Sequence, residues 1–306
     1  MKVLVTGGAG FIASHIVDGY LARGADVTVL DDLSTGSRKN VDARAKLVVA
    51  NLNEEAAVEL VRSGRFDLVN HHAAQIDVRV SVKDPAFDAQ TNVVGSLKLI
   101  QTAFESGVKK IIFASSGGAG YGEPEFYPQT EEHSTRPISP YGCAKIAIEQ
   151  YLFYYKAVHG LPSAWMRYGN VYGPRQRKDG EAGVIAIFAG KLFAGETAVI
   201  NGDGEQTRDY VYVGDVVRAN MAVSESDLEG PFNVGTGIET SVNELWAGIQ
   251  KAAGKEGRAE HAPAKAGEQR RSVLDGSKLR KAAGLPEPVG LGVGLKETVE
   301  WVDTAF

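Results

Sequence analysis

Two residues near the middle of the chain have types and spacing that suit acid–base chemistry. Tyr141 and Lys145 stand four apart, about one helical turn, so their side chains share a face. An ammonium beside a phenol favours the phenolate and makes tyrosine a usable base near neutral pH. The same spacing arises by chance on surface helices, so the pair gains meaning from its surroundings. Upstream, Ser115-Ser116 supplies two hydroxyls, followed by Gly117-Gly118. Both serines also suit the plain role of ending a buried strand. Nearer the start, Val3-Leu4-Val5 runs into Thr6-Gly7-Gly8-Ala9-Gly10-Phe11-Ile12. A strand that turns through glycines into a helix brings backbone close to a pyrophosphate and aims helix N–H groups at it. Ala13 stands where a third glycine is usual, a packing position that tolerates alanine. Asp31 closes the next apolar run, about 20 residues on, where a carboxylate binds ribose hydroxyls. It would repel a 2′-phosphate, so the pattern favours NAD over NADP.

These residues need elements to hold them. Residues 2–6, 26–31, 46–50, 67–71 and 110–114 are rich in Val, Ile or Leu and read as buried strands. Helical patterns over 10–23, 54–62 and 87–106 separate them, and a helix over 141–159 leads to a strand at 163–168. The alternation predicts an α/β fold, a doubly wound parallel sheet of Rossmann type. After about residue 172 the rhythm loosens. Gly, Pro and charge gather at 173–180, and a Gly/Pro-rich stretch at 284–294 precedes a last helix at 295–303. We therefore expect a dinucleotide-binding domain over 1–171. A smaller α/β substrate lobe is expected over 172–306, with some segments returning to the first domain.

Composition narrows the function classes. The 306 residues carry 33 basic and 38 acidic side chains, a net charge of −5, which gives no broad cationic face for nucleic acid. No apolar run approaches the ~18 residues of a membrane span. The single cysteine, Cys143, excludes an internal disulfide and a cysteine zinc site, and suits a reducing, cytoplasmic setting. The six histidines show no metal-ligand spacing, and no metal is expected.

With these motifs in order along the chain, it resembles the extended short-chain dehydrogenase/reductase family, most of all its bacterial UDP-glucose 4-epimerase branch. The matching pieces are Thr6 to Ile12, Asp31-Asp32-Leu33, His71-His72-Ala73-Ala74-Gln75, Asn92-Val93-Val94-Gly95, Ser115 to Gly118, Tyr141 with Lys145, Arg167 to Pro174, and Arg208-Asp209-Tyr210-Val211. The resemblance implies that NAD stays bound while the sugar is oxidised at C4 to a ketone, turns, and is reduced on its other face. It implies Ser116, Tyr141 and Lys145 as the catalytic set, with Ser115 as the alternative relay. It implies cofactor contacts from Gly7, Gly10, Phe11, Ile12, Asp31, Asp32, Ala73, Ala74, Asn92 and Tyr168. Asn51-Leu52 falls where the family has Asp before an apolar residue against adenine. The UDP-sugar would meet Asn170, Arg208, Lys265, Glu268 and Ser272, with Lys265 where the family more often has arginine. A homodimer through helices 87–106 and 141–159 is also implied.

The resemblance leaves rivals. A 4,6-dehydratase of the family has an Asp-Glu pair after the active hydroxyl, and here Gly117-Gly118 stands there. A ketoreductase that releases its cofactor and a non-catalytic NAD sensor are the other readings. Which sugar pair is turned over, glucose/galactose, N-acetyl or uronate, stays open. Ser272 occupies the place where a bulky aromatic would block a C2 N-acetyl group, so both sugar types are expected to fit.

Overall fold

The structure, a computed structural model, describes residues 1–178, 183–264 and 269–305. Its first part alternates strand and helix. In chain order come β1 (Lys2–Thr6), α1 (Phe11–Ala22), β2 (Asp26–Asp31), β3 (Lys46–Val49), α2 (Glu55–Gly64) and β4 (Leu68–His71). Two short helices, α3 (Val78–Lys83) and α4 (Pro85–Ala89), run through a π turn at Gln90–Val94 into α5 (Gly95–Glu105). Then follow β5 (Lys110–Ser116), α6 (Gly117–Gly120), α7 (Pro140–His159) and β6 (Ser163–Tyr168).

The second part is more broken. It holds β7 (Asn170–Tyr172), α8 (Val184–Ala194), β8 (Ala198–Asn201), β9 (Thr207–Arg208), β10 (Tyr210–Tyr212), α9 (Val213–Ser224) and β11 (Gly230–Val234). After these come β12 (Thr240–Ser241), α10 (Val242–Ala253), β13 (Ala259–Ala262), β14 (Arg271–Ser272), α11 (Ser277–Ala283) and α12 (Leu291–Ala305).

Seven strands form one parallel sheet in the order β11-β6-β5-β4-β1-β2-β3. Alternation along each strand feeds two cores. Val3 and Val5 of β1 face one way with Ile112 of β5, onto α1 and α9. Leu4, Ile111 and Phe113 face the other way, onto α2, α5 and α7. The chain returns to this sheet late, because β11 pairs with β6 from Gly230 to Val234. A third core, with Phe188, Trp246, Leu295 and Val299, joins α8, α10 and α12 beside small ladders of two or three strands.

Strand order reverses between β1 and β4, which opens a crevice at their carboxyl ends. Thr6 and His71 close the two strands in register there. The Thr6 hydroxyl and His71 Nδ1 share a 2.7 Å hydrogen bond.

Candidate active site

The crevice fits a dinucleotide. Gly7 has φ +69°, and a Cβ on it would stand 2.8 Å from the Ala73 backbone nitrogen, so neither the conformation nor the space suits a side chain. Gly10 precedes α1, and no described side chain caps that helix's first turn. Its leading N–H groups, beginning with Phe11 and Ile12, are therefore available to an anion. Ala73 and Ala74 form the facing wall after β4, with Ala73 N donating to Thr6 Oγ1 at 3.1 Å.

Asp31 ends β2 almost fully buried. Its oxygens accept from Ala9 N at 3.0 Å and Leu33 N at 2.8 Å, which fixes the carboxylate's direction. Burial raises its pKa above the ordinary value, and those two N–H groups oppose the rise. Asp32 accepts from Ser34 and, at 2.8 Å, from Asn51 Nδ2. Asn51 thus braces the loop that carries the two acids, while Leu52 is buried in the core beside α2 and α5.

The catalytic side is built on β5 and α7. Ser139 caps α7 by accepting from Gly142 N at 3.1 Å, and Pro140 starts the helix. That places Tyr141 and Lys145 on its first turns. Lys145 is buried, donates to the Ala114 carbonyl at 2.9 Å, and lies 4.8 Å from the Phe113 ring centroid and 5.6 Å from that of Tyr141. Burial lowers the Lys145 pKa to about 8, against Asp88 and Glu149, which favour its charge.

One expectation needs correcting here. Burial, and after it the Asp88 charge, pushes the Tyr141 phenol up, not down. The sequence shows the lysine one turn away, but not how dry the place is. His71 and His72 are driven down by burial and then by Lys145, so both rings are neutral near pH 7.

The two serines separate. Ser115 Oγ donates to Glu149 Oε1 at 2.5 Å, and Glu149 is paired in the interior with Arg167, again at 2.5 Å. Ser116, next along β5 and so on the opposite face, is half-buried and caps α6 by accepting from Ala119 N at 3.2 Å.

Asn92 falls within the helix expected over 87–106, which the structure breaks with a π turn. It sits inside the π turn, buried, and exchanges hydrogen bonds with the Gln75 backbone at 2.8 and 2.9 Å. π turns of this kind are frequent at functional sites. Tyr168, at the end of β6, accepts from Asn220 Nδ2 at 2.8 Å and shares a 3.0 Å hydrogen bond with His72 Nε2.

Across the cleft, Arg208 on β9 and Ser272 on β14 are register partners. Ser272 is buried, and its Oγ lies 3.9 Å from where a Cβ on Gly118 would stand, so it adjoins the corner that carries Ser116. Asn170 begins β7 and donates its backbone N–H to Asp209 O at 2.8 Å. Lys265 and Glu268 lie outside the described residues. Asp209, given no role from sequence, is a hub. Its buried carboxylate accepts from Thr236 N and Oγ1, Gly237 N and Leu274 N. Its place beside Arg208 in the quoted motif was the available signal.

A family model for the NAD dependent epimerase/dehydratase family matches residues 3–235. The chain belongs to that family. It is 43% identical to a UDP-glucose 4-epimerase of Mycolicibacterium smegmatis, over 98% of each chain. Among solved structures it resembles the Thermotoga maritima UDP-glucose 4-epimerase with UDP-glucose (45% identity, TM-score 0.96, covering 100% of this chain and 99% of that one). It also resembles the Thermus thermophilus UDP-glucose 4-epimerase in complex with NAD (45% identity, TM-score 0.95, all of both chains). No helix of the described residues is long and apolar enough to cross a membrane.

Proposed function

We propose that this protein interconverts UDP-galactose and UDP-glucose by NAD-dependent epimerisation at C4, through a transient 4-keto sugar. The observation that carries the reading is the pairing of a buried Lys145 ammonium with the Tyr141 phenol beside a glycine cradle ending in Asp31. Relatives with that activity, alike over the full chain, support it.

In this reading Gly7, Gly10, Phe11 and Ile12 hold the pyrophosphate of NAD, and Asp31 and Asp32 hold its adenosine ribose. Asn51 and Leu52 flank the adenine, and Ala73, Ala74, Asn92 and Tyr168 line the nicotinamide end. Bound NAD supplies the hydride acceptor and later the donor, and its positive nicotinamide adds to the field that favours phenolate. Tyr141 takes the proton of the sugar 4-hydroxyl, with Ser116 relaying it. Lys145 holds the nicotinamide ribose and offsets the burial that keeps Tyr141 protonated. Asn170, Arg208 and Lys265 hold the diphosphate about which the ketone turns, and Glu268 holds the uridine ribose. Tyr141 then returns its proton to the 4-oxygen, while the turned ketone presents the opposite face of C4 for reduction.

Space opposes the dehydratase rival. A Cβ on Gly117 would stand 2.5 Å from Leu274 Cδ1, so an acid there requires Leu274 to move. The small Ser272 beside Gly118 favours acceptance of N-acetylated UDP-sugars as well. Exposed apolar side chains on the dimer helices expected from sequence, Phe87, Tyr151, Phe153 and Val158 among them, favour a homodimer. The lone cysteine suits a cytoplasmic enzyme.

The test is to incubate the purified protein with UDP-galactose and with UDP-GlcNAc and follow the anomeric signals by NMR. Conversion of the first, with NAD and not NADP recovered on denaturation, is the expected result. No conversion, or NADP recovered, would sink it.

A further inference from the structure

Asp88 has no task in the mechanism above, yet it is placed like a working residue. It lies on α4, four residues before Asn92, so the two share a face. Its side chain is 1% exposed. Oδ1 accepts from Gln75 Nε2 at 2.8 Å and from Asn92 Nδ2 at 3.0 Å. Oδ2 is buried and has no hydrogen-bond partner among the described residues. Asp88 lines a groove of about 530 Å³ together with Pro140, Cys143 and Ala144, the first turns of α7 that carry Tyr141 and Lys145. A half-satisfied buried carboxylate destabilises a fold, so its presence here calls for a compensating role.

We propose that Asp88 is a positioning residue of this active site, which holds Gln75 and Asn92 in place and sets a negative charge in the groove beside the first turns of α7. Its consequence for turnover rests on the epimerase reading.

Among the ionisable groups around Lys145, Asp88 favours its charge most and Glu149 less. From α7 itself come Tyr141 and Glu149. Glu149 is already paired, because Arg167 Nε and Nη2 and the Ser115 hydroxyl all donate to it. From the end of β4 come His71 and His72, both held neutral by burial. Asp88 makes no ion pair among the described residues. It favours the charged form of Lys145 and the protonated form of Tyr141. Burial raises the pKa of Asp88 itself, against the Gln75 hydrogen bond and the Lys145 charge.

Asp88→Asn separates charge from clamp. It keeps an oxygen for Gln75 and Asn92 and puts an amide nitrogen where Oδ2 has no partner. Removing a negative charge makes each neighbour lose its proton more easily. Tyr141 and Lys145 should both titrate lower, by about one pH unit. Two readouts are taken on the NAD-loaded protein. The first is the phenolate absorbance of Tyr141, measured for each form against its own Tyr141→Phe counterpart. The second is the pH profile of kcat for UDP-galactose. Asp88→Asn should lower the phenolate midpoint and move both limbs of the profile down, and Asp88→Glu should move them back. Coincident phenolate titrations, or a rate that falls with unmoved limbs, would overturn the proposal and leave Asp88 as packing only. If Asn does not fold, Asp88→Ser is read by the same two measurements. A phenolate shift in a protein that converts no UDP-sugar would sink the epimerase reading while supporting the placement of Asp88.

Discussion

The two walls of the cleft are built differently. On the proposed cofactor side, Asp31, Ser116, Tyr141 and Lys145 stand at the ends of strands in a seven-stranded sheet or on the 20-residue helix that packs on it. Their orientation is fixed by contacts in the interior, such as Lys145 to Ala114 O and Asp31 to Ala9 N. On the proposed substrate side, Asn170, Arg208 and Ser272 stand on ladders two or three residues long. The buried Asp209 carboxylate helps to tie them to the rest through backbone N–H groups, and Gln129 does the same beside Val273 and Asp275. Reacting atoms need sub-ångström placement, which a large buried sheet supplies. Recognition of a sugar needs exchangeable side chains, and short ladders allow residues to change without disturbing the sheet. On the proposed roles, the difference makes rate and selectivity separable.

Substitutions on each wall sharpen or break that contrast. The largest effect is expected at Tyr141. Tyr141→Phe keeps the ring and removes the base, so kcat should fall about 10²–10⁴-fold with KM nearly unchanged. Steady-state kinetics check this, and a rise in KM at constant kcat would place Tyr141 on the binding wall instead. Next comes Glu149→Ala, which strands Arg167 in the interior. Urea unfolding should show a loss of about 3–5 kcal/mol. Asp209→Asn turns one acceptor into a donor facing N–H groups, at about 1–3 kcal/mol. There the sugar KM should rise more than kcat falls, and the reverse split would mean that the ladder reaches the chemistry. The smallest change is in selectivity. Ser272→Tyr should lower kcat/KM for UDP-GlcNAc tenfold or more while UDP-galactose changes by about threefold or less, since a ring fills the space beside Gly118. Equal losses for both sugars would deny Ser272 a place beside C2.

How far the sequence could be read follows the same division. The runs at β1 and β2 are apolar, β-branched and bounded by turn residues, and their limits, like those of β6, fall where the sequence reading puts them. The helix over 141–159 begins one residue earlier, at Pro140. The helix expected over 87–106 is interrupted at Gln90–Val94, because no local pattern marks a π turn. The last helix starts at Leu291, not 295, inside a glycine-rich stretch that reads as loop. Tertiary packing overrides that propensity, because a Cβ on Gly294 would stand 2.3 Å from the Tyr172 hydroxyl, so glycine lets this helix close on the third core. The spacing of Tyr141 and Lys145 revealed a shared face but not the burial that sets their proton affinities. Asp209 went unread because its partners are distant along the chain, and Asp88 because nothing local marks its burial.

The central claim is that one carbon of the sugar is oxidised and then reduced without its hydrogen reaching solvent. UDP-galactose carrying deuterium at C4, incubated with the protein in ordinary water, tests it directly by NMR and mass spectrometry. The expected product is UDP-glucose that keeps its deuterium at C4. Product with protium at C4 would contradict the claim, because the hydrogen would then have left by a path other than direct return to the same carbon.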